Sequence, residues 1–268
     1  MTKVLAAVDN SLVCKAVLDT ARSLGDVLGA KVEALHVSDG DDQTVSAAAA
    51  NADVPLRFVS GAVVDVLIEA GAATDVAAVV IGARGMPSDP RPLGGTALAV
   101  ATSLLKPVVV VPPDAAPPEA LRRVLVPLEG TVSTSLAPRS LMEVAHEAEL
   151  DVVVLHVHDA SSLPSFTDQP QHEHAAWAQE FLARYCPWGI GFVRLETRVG
   201  TGAAVVPAVA EESGCDLIAL GWSQDLAAGR APVVHAALER ARVPVLLVPV
   251  VAATSGDRVE PTATNTSP

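Results

Sequence analysis

Short apolar runs alternate with amphipathic stretches along most of the chain. Val4–Val8, Lys31–Val37, Leu56–Val59, Val76–Ile81 and Pro107–Val111 are compact and bounded by polar residues, glycine or proline, so they read as buried strands. After the first of them, Val13, Val17, Thr20, Ala21, Leu24 and Leu28 recur at spacings of three and four, one face of a helix. Asn10 or Ser11 is its expected N-cap, and Gly29 its stop. Residues 38–54 are polar or alanine-rich and leave room for a short helix. Val63–Ala73 is helical by pattern, and Thr96 opens another helix to Leu105. Strands alternating with helices predict a parallel sheet with right-handed crossovers.

A proline-rich linker, residues 112–120, follows the fifth strand. The pattern then repeats. Val124–Glu129 answers Val4–Asp9, and Val154–Val157 answers Ala34–Val37, both at an offset of 120. Asp216–Gly221 answers the fourth strand, and Pro244–Pro249 answers Pro107–Pro112. The expected fold class is α/β: two tandem open parallel five-stranded sheets flanked by helices. The units run over 1–114 and 121–252. Residues 253–268, rich in Thr, Ser and Pro, are predicted to be a disordered tail.

The 268 residues suffice for two ordinary domains. A net charge of −13 argues against nucleic acid, whose binders need a basic face, and against anionic membranes. No stretch has 18 uninterrupted apolar residues, so no membrane-spanning helix is expected. The N-terminus reads as a strand rather than a signal peptide, and a cytoplasmic protein is expected. Cys14, Cys186 and Cys215 are scattered, which suits reduced, small apolar side chains. His156 and His158 share a strand face and His172-Glu173-His174 reads as a loop, but no further spacing supports the three or four converging ligands a zinc site needs. His36 reads as a strand-end histidine with a satisfied hydrogen bond. Asp41-Asp42 and Glu211-Glu212 read as solvated charge. There is no Gly-x-Ser-x-Gly elbow and no Gly-x4-Gly-Lys-Ser/Thr loop, so hydrolase and fast phosphoryl-transfer machinery are not expected.

One stretch carries chemistry. The fourth strand ends at Gly82, Gly85 follows three positions later, and Gly95-Thr96 opens the next helix. Strand, glycine loop and helix start suit a bound phosphate: glycines let backbone N–H groups approach, and a helix N-terminus adds free donors and a partial positive charge. Arg84 and Arg91 lie in the loop and can add charge-assisted bonds. Ligands of parallel sheets bind at the carboxyl ends of strands, where strand order reverses. If the first and fourth strands are neighbours, Asp9 and Gly82 face one crevice. Asp9 is then an acceptor for a base or sugar, or else a turn or cap residue.

The second copy departs here. Gly221 is followed by Trp222-Ser223-Gln224, and the expected Gly-Thr falls among Ala231–Val234. Glu129 stands in place of Asp9. Trp222 is placed to fill space that a ligand would need, so the second half reads as a nucleotide-free scaffold or a site for something else.

A tandem α/β unit with Gly-x-x-Gly-x9-Gly-Thr after its fourth strand resembles the universal stress protein family. The resemblance covers nearly the whole chain except the tail and rests most on the first half. It implies the flavodoxin-like strand order 3-2-1-4-5 and ATP binding, with or without magnesium. Carried over, Asp9 would meet adenine or ribose, Val37 would present backbone to adenine, and Gly82, Gly85, Gly95 and Thr96 would hold ribose and phosphates. It also implies pairing through last strands. Here Pro107–Val111 and Pro244–Val248 would pair within one chain as a pseudo-dimer, which would cover two exposed edges; a homodimer stays open. The expected function is an ATP-binding stress-response regulator with an unknown protein partner and at most slow hydrolysis. The alternatives are an interaction module that binds no nucleotide, its loop shaped by Pro87, Pro90 and Pro92, and an enzyme that activates a substrate with ATP.

Overall fold

The structure is a computed structural model that describes residues 2–38, 40, 42–84, 93–116, 118–128, 139–158, 179–183, 193–227 and 229–250. The predicted tail and the His172-Glu173-His174 triplet lie outside them, as do Gly85, Arg91, Glu129 and Cys186. The first half runs β1 (Lys3–Val8), α1 (Cys14–Leu28), β2 (Lys31–Val37), α2 (Gln43–Asn51), β3 (Leu56–Val59), α3 (Val63–Ala72), β4 (Val76–Gly82), α4 (Gly95–Ser103) and β5 (Val108–Val111). The second runs β6 (Arg123–Pro127), α5 (Arg139–Glu147), β7 (Asp151–His158), β8 (Val193–Val199), α6 (Gly202–Glu212), β9 (Leu217–Trp222), α7 (Pro232–Arg240) and β10 (Val245–Pro249).

The strands form one ten-stranded sheet in the order β3-β2-β1-β4-β5-β10-β9-β6-β7-β8. Each half therefore has the order 3-2-1-4-5, and β1–β2, β1–β4, β2–β3 and β4–β5 are all parallel. The halves join where β5 and β10 run antiparallel, with Val110 opposite Val245, Val109 opposite Leu246 and Val108 opposite Leu247. The expected intrachain pairing of the two last strands is thus present. Val108–Val111 are at most 1% exposed. An uncovered edge of four valines would invite aggregation, and β10 removes it.

Alternation along β1 divides the core. Val4, Ala6 and Val8 pack with Val17, Leu18 and Ala21 of α1 on one face. Leu5 and Ala7 pack with Leu67 of α3 and with Ala97, Val100 and Ala101 of α4 on the other. Both layers continue into the second half, through Met142 and Ala145 of α5 and through Val206 of α6 and Leu238 of α7. Burying each such Val, Leu or Ile is worth about 1.5–3 kcal/mol. Strands buried on both faces read as continuous apolar runs, which is why the pattern was legible.

The ends of α1 divide the expectations. Gly29 is the C-cap at φ 57, with its N–H on Asp26 O and the Ala30 N–H on Gly25 O. The N-cap, however, is Val13, and no side chain caps the helix. Asn10 and Ser11 belong to the preceding turn, where the Ser11 N–H donates to Asp9 Oδ1 at 3.0 Å. The connection between halves is tied to both: Ala116 N–H donates to Arg242 O, and Ser23 Oγ donates to Pro118 O.

Candidate functional site

In a 3-2-1-4-5 sheet the strand order reverses between β1 and β4. A cavity of about 410 Å³ opens there, at the carboxyl ends of β1, β2 and β4. That volume falls in the range of small-molecule sites. Its lining brings together Asp9, Val37, Gly82, Arg84, Gly95 and Thr96, six of the seven predicted site residues. The seventh, Gly85, lies outside the described residues.

Each wall has a local cause. β1 stops at Val8, and the chain turns through Asp9, whose carboxylate accepts the Ser11 N–H. The turn role weighed for Asp9 is therefore occupied by one oxygen, while the residue still faces the cavity. β2 ends at the half-buried Val37. Beside it His36 is 3% exposed, and its Nδ1 lies 2.9 Å from Val8 O, the satisfied bond expected of it. Its Nε2 lies 3.3 Å from Asp42 Oδ1, near enough for an ion pair when the ring is protonated but not aligned for a hydrogen bond. Ser38 Oγ donates to both Asp42 oxygens at 2.9 Å. Asp42 is thus part of a small polar cluster beside the cavity rather than plain solvated charge. The spacing Ser38-x3-Asp42 was its only sequence signal.

β4 ends at Gly82, and the chain returns at Gly94, whose N–H donates to Ala83 O at 2.7 Å. Among the described residues no side chain caps α4, and no acidic residue sits in its first turn. The first intrahelical bond to this end is Leu98 N–H to Gly94 O, so the amides of Gly95, Thr96 and Ala97 precede the helix's own acceptors. All three residues line the cavity. Neither flanking glycine is required by the protein itself. Among the described residues a Cβ on Gly95 would meet nothing within 4 Å, and one on Gly82 would make only ordinary contacts, 3.5 Å to Arg84 O and 3.7 Å to Val13. The space that these glycines leave belongs to the cavity.

Among the described lining residues Asp9 is the one carboxylate and Arg84 the one permanent cation. Arg84 Nε is buried and has no partner among the described residues. Leaving a charged donor dry and unpaired costs about 1–3 kcal/mol or more, which a bound anion would offset. Cys14 also lines the cavity, but burial first and the Asp9 charge second push its thiol up to about 11. It is a neutral thiol at physiological pH, unfit as a nucleophile. Among the described residues no three of His, Cys, Asp and Glu are grouped as for a metal ion. No helix among them is long and apolar enough to cross a membrane.

The second half repeats the frame. His156 Nδ1 lies 2.9 Å from Leu128 O, the counterpart of the His36–Val8 bond, and each pair is 28 residues apart. Residues 120–249 match the universal stress protein family model. The second half of the chain belongs to the universal stress protein family. The match lies in the half without the glycine motif, whereas the sequence reading leaned on the other half. Among solved structures, the chain is similar to a universal stress protein from Archaeoglobus fulgidus, at 18% identity with a TM-score of 0.61 over 93% of this chain and 97% of that one. A functionally unknown protein from Pseudomonas aeruginosa PAO1 gives 12% identity and a TM-score of 0.66 over 93% of each chain. The cytoplasmic domain of a prokaryotic cation chloride cotransporter gives 12% and 0.53 over 92% of this chain and 94% of that one. No curated protein matches significantly. At such identities the structural likeness shows the fold alone, and fold does not fix function.

Proposed function

We propose that this chain binds ATP in its first half and acts in stress response as a regulator whose nucleotide-dependent surface is read by a protein partner. The observation that carries the reading is the N-terminus of α4, where three amides without an acceptor among the described residues belong to residues that line a cavity from which Gly82 and Gly95 withhold side chains. Such an end favours anionic oxygens. The α4 amides and Thr96, with Gly82 and Gly85, would take the ribose and phosphates, and Arg84 would add a charged donor. Asp9, through the oxygen its turn does not use, would meet adenine or ribose. Val37 would offer backbone to the base against the apolar wall of Leu35 and Ile81.

Magnesium, which balances charge on the phosphates, would arrive with the nucleotide. The described lining supplies no lysine and no second carboxylate to activate water. Binding with at most slow hydrolysis is therefore the reading, rather than catalysis. The test is the nucleotide content of freshly purified protein, separated by anion exchange after denaturation, followed by ATP titration of the stripped protein. About one nucleotide per chain is expected. Two would mean that the second half binds as well. None, with no binding on titration, would overturn the proposal and leave an interaction module.

A further inference from the structure

We infer that Gln224, in the second half, is a positioning residue for the phosphate end of the first-half site; the inference rests on the nucleotide reading above. Gln224 stands three residues after Gly221, where Gly85 stands after Gly82. Its backbone lies in the left-handed region, φ 60, a conformation that favours glycine. Its side chain serves the other half. Nε2 lies 3.2 Å from Ala101 O, 3.0 Å from Thr102 O and 2.8 Å from Leu104 O. These carbonyls close the C-terminus of α4, where no amide of the helix reaches them and no basic residue sits in the last turn.

Beside this clamp, α4 is held by the buried Leu104 at its C-cap, which packs against Gly71 of α3. The buried residues of the helix itself are Ala97, Val100 and Ala101, small side chains that bury little area. A nine-residue helix is about 13 Å long and rigid, so a shift at the clamped end moves the amides at the other. Hydrogen bonds weaken steeply with misalignment, and those amides belong to residues that line the cavity. The clamp is itself seated. Ala227 N–H donates to Asp225 Oδ1 at 2.9 Å, and His235 Nε2 lies 3.2 Å from Leu226 O. The degenerate loop has become a bracket on its neighbour's phosphate-facing helix.

The test is calorimetric titration of the full chain with ATP and, separately, with adenosine. Gln224→Ala should weaken ATP binding about fivefold, the worth of one or two modest hydrogen bonds, while adenosine binding stays within about twofold. Gln224→Glu, which offers no donor and repels the carbonyls, should weaken ATP further. Gln224→Lys, which donates at a helix C-terminus, should restore it. Equal losses for both ligands, or none for either, would overturn the inference. Hydrogen exchange of ligand-free protein decides it independently. The Leu98–Ala101 amides should exchange faster in Gln224→Ala while those of β1 and β4 do not change, and unchanged α4 exchange would overturn it. Wild-type protein that binds neither ligand would sink the nucleotide reading instead, and exchange would still show whether Gln224 holds α4.

Discussion

The exits of β4 and β9 begin alike and end in opposite chemistry. After Gly82 the chain reaches an uncapped helix that starts at Gly95 and Thr96. After Gly221 it buries Trp222 to 3% exposure, turns at Gln224, and starts α7 with Ala231 in the left-handed region and Pro232 at the first position. Proline has no N–H, so α7 has lost a donor that α4 keeps. The sheet order, and a second-strand histidine bonded to a carbonyl at the end of the first strand or just past it, recur in both halves. A handful of positions at one strand exit therefore separates a phosphate cradle from a bracket. The frame sets where a site can be, and the exit residues set whether one exists.

The largest expected effect is at Trp222. Trp222→Ala should destabilise the protein by about 3–5 kcal/mol, the usual cost of emptying a buried aromatic site. Trp222→Phe should cost less than about 1.5 kcal/mol, because the indole Nε1 has no partner among the described residues. Denaturant unfolding checks both. Nucleotide stoichiometry in the alanine variant should stay at one per chain, since Pro232 still blunts α7; a second bound ATP would show that Trp222 alone closes the second site.

At Gly95 binding and stability should part. A side chain there meets open space, and a carboxylate at a helix N-terminus is favourable by about 0.3–1 kcal/mol. Gly95→Asp should therefore fold as well as wild type while binding ATP about 100-fold more weakly, roughly 2.8 kcal/mol. Titration beside a melting curve reads both. A parallel loss of stability would mean that the space around Gly95 is not free. The exit of β9 offers the reverse sign: Ala231→Gly relieves a left-handed alanine and should stabilise by up to about 1 kcal/mol.

These residues also mark how far the sequence could be read. Apolar runs bury on both faces, so strands, helices and the tandem repeat were legible from pattern alone. Gly29 was readable as a helix stop because glycine there answers a backbone need. The N-cap of α1 was misread, because Asp9 draws the Ser11 amide into a turn and leaves Val13 to start the helix. Glycine spacing pointed to Gly82, Gly95 and Thr96, and the cavity brings them together with Asp9, Val37 and Arg84. Gln224 and Asp42 carried no motif. The partners of Gln224, α4 carbonyls more than a hundred residues away, become neighbours only once the sheet is assembled, whereas Ser38 and His36 lie only four and six residues from Asp42.

The smallest effect distinguishes the halves at high pH. Each first strand starts with a cation held by acids: Lys3 against Glu33 and Asp75 at 3.1 and 3.2 Å, and Arg123 against Asp151 at 2.9 Å. Burial works to lower the Lys3 pKa, but the bonds to Glu33 and Asp75 outweigh it and hold it above 10.5. A raised folded pKa gives stability that is complete below the unfolded value and is lost as pH rises through the folded one. Arg123, pushed up from its already high ordinary range chiefly by its bond to Asp151, keeps its charge throughout. As pH rises above 10.5 the first half alone should weaken, by less than about 1 kcal/mol for a partly exposed cluster. Lys3→Arg should abolish that alkaline decline and leave stability at pH 7 unchanged within a few tenths of a kcal/mol. Urea midpoints across that window, followed by exchange in β1 and β6, are the measurement. An equal decline in both strands would show that the loss comes from groups the halves share rather than from Lys3.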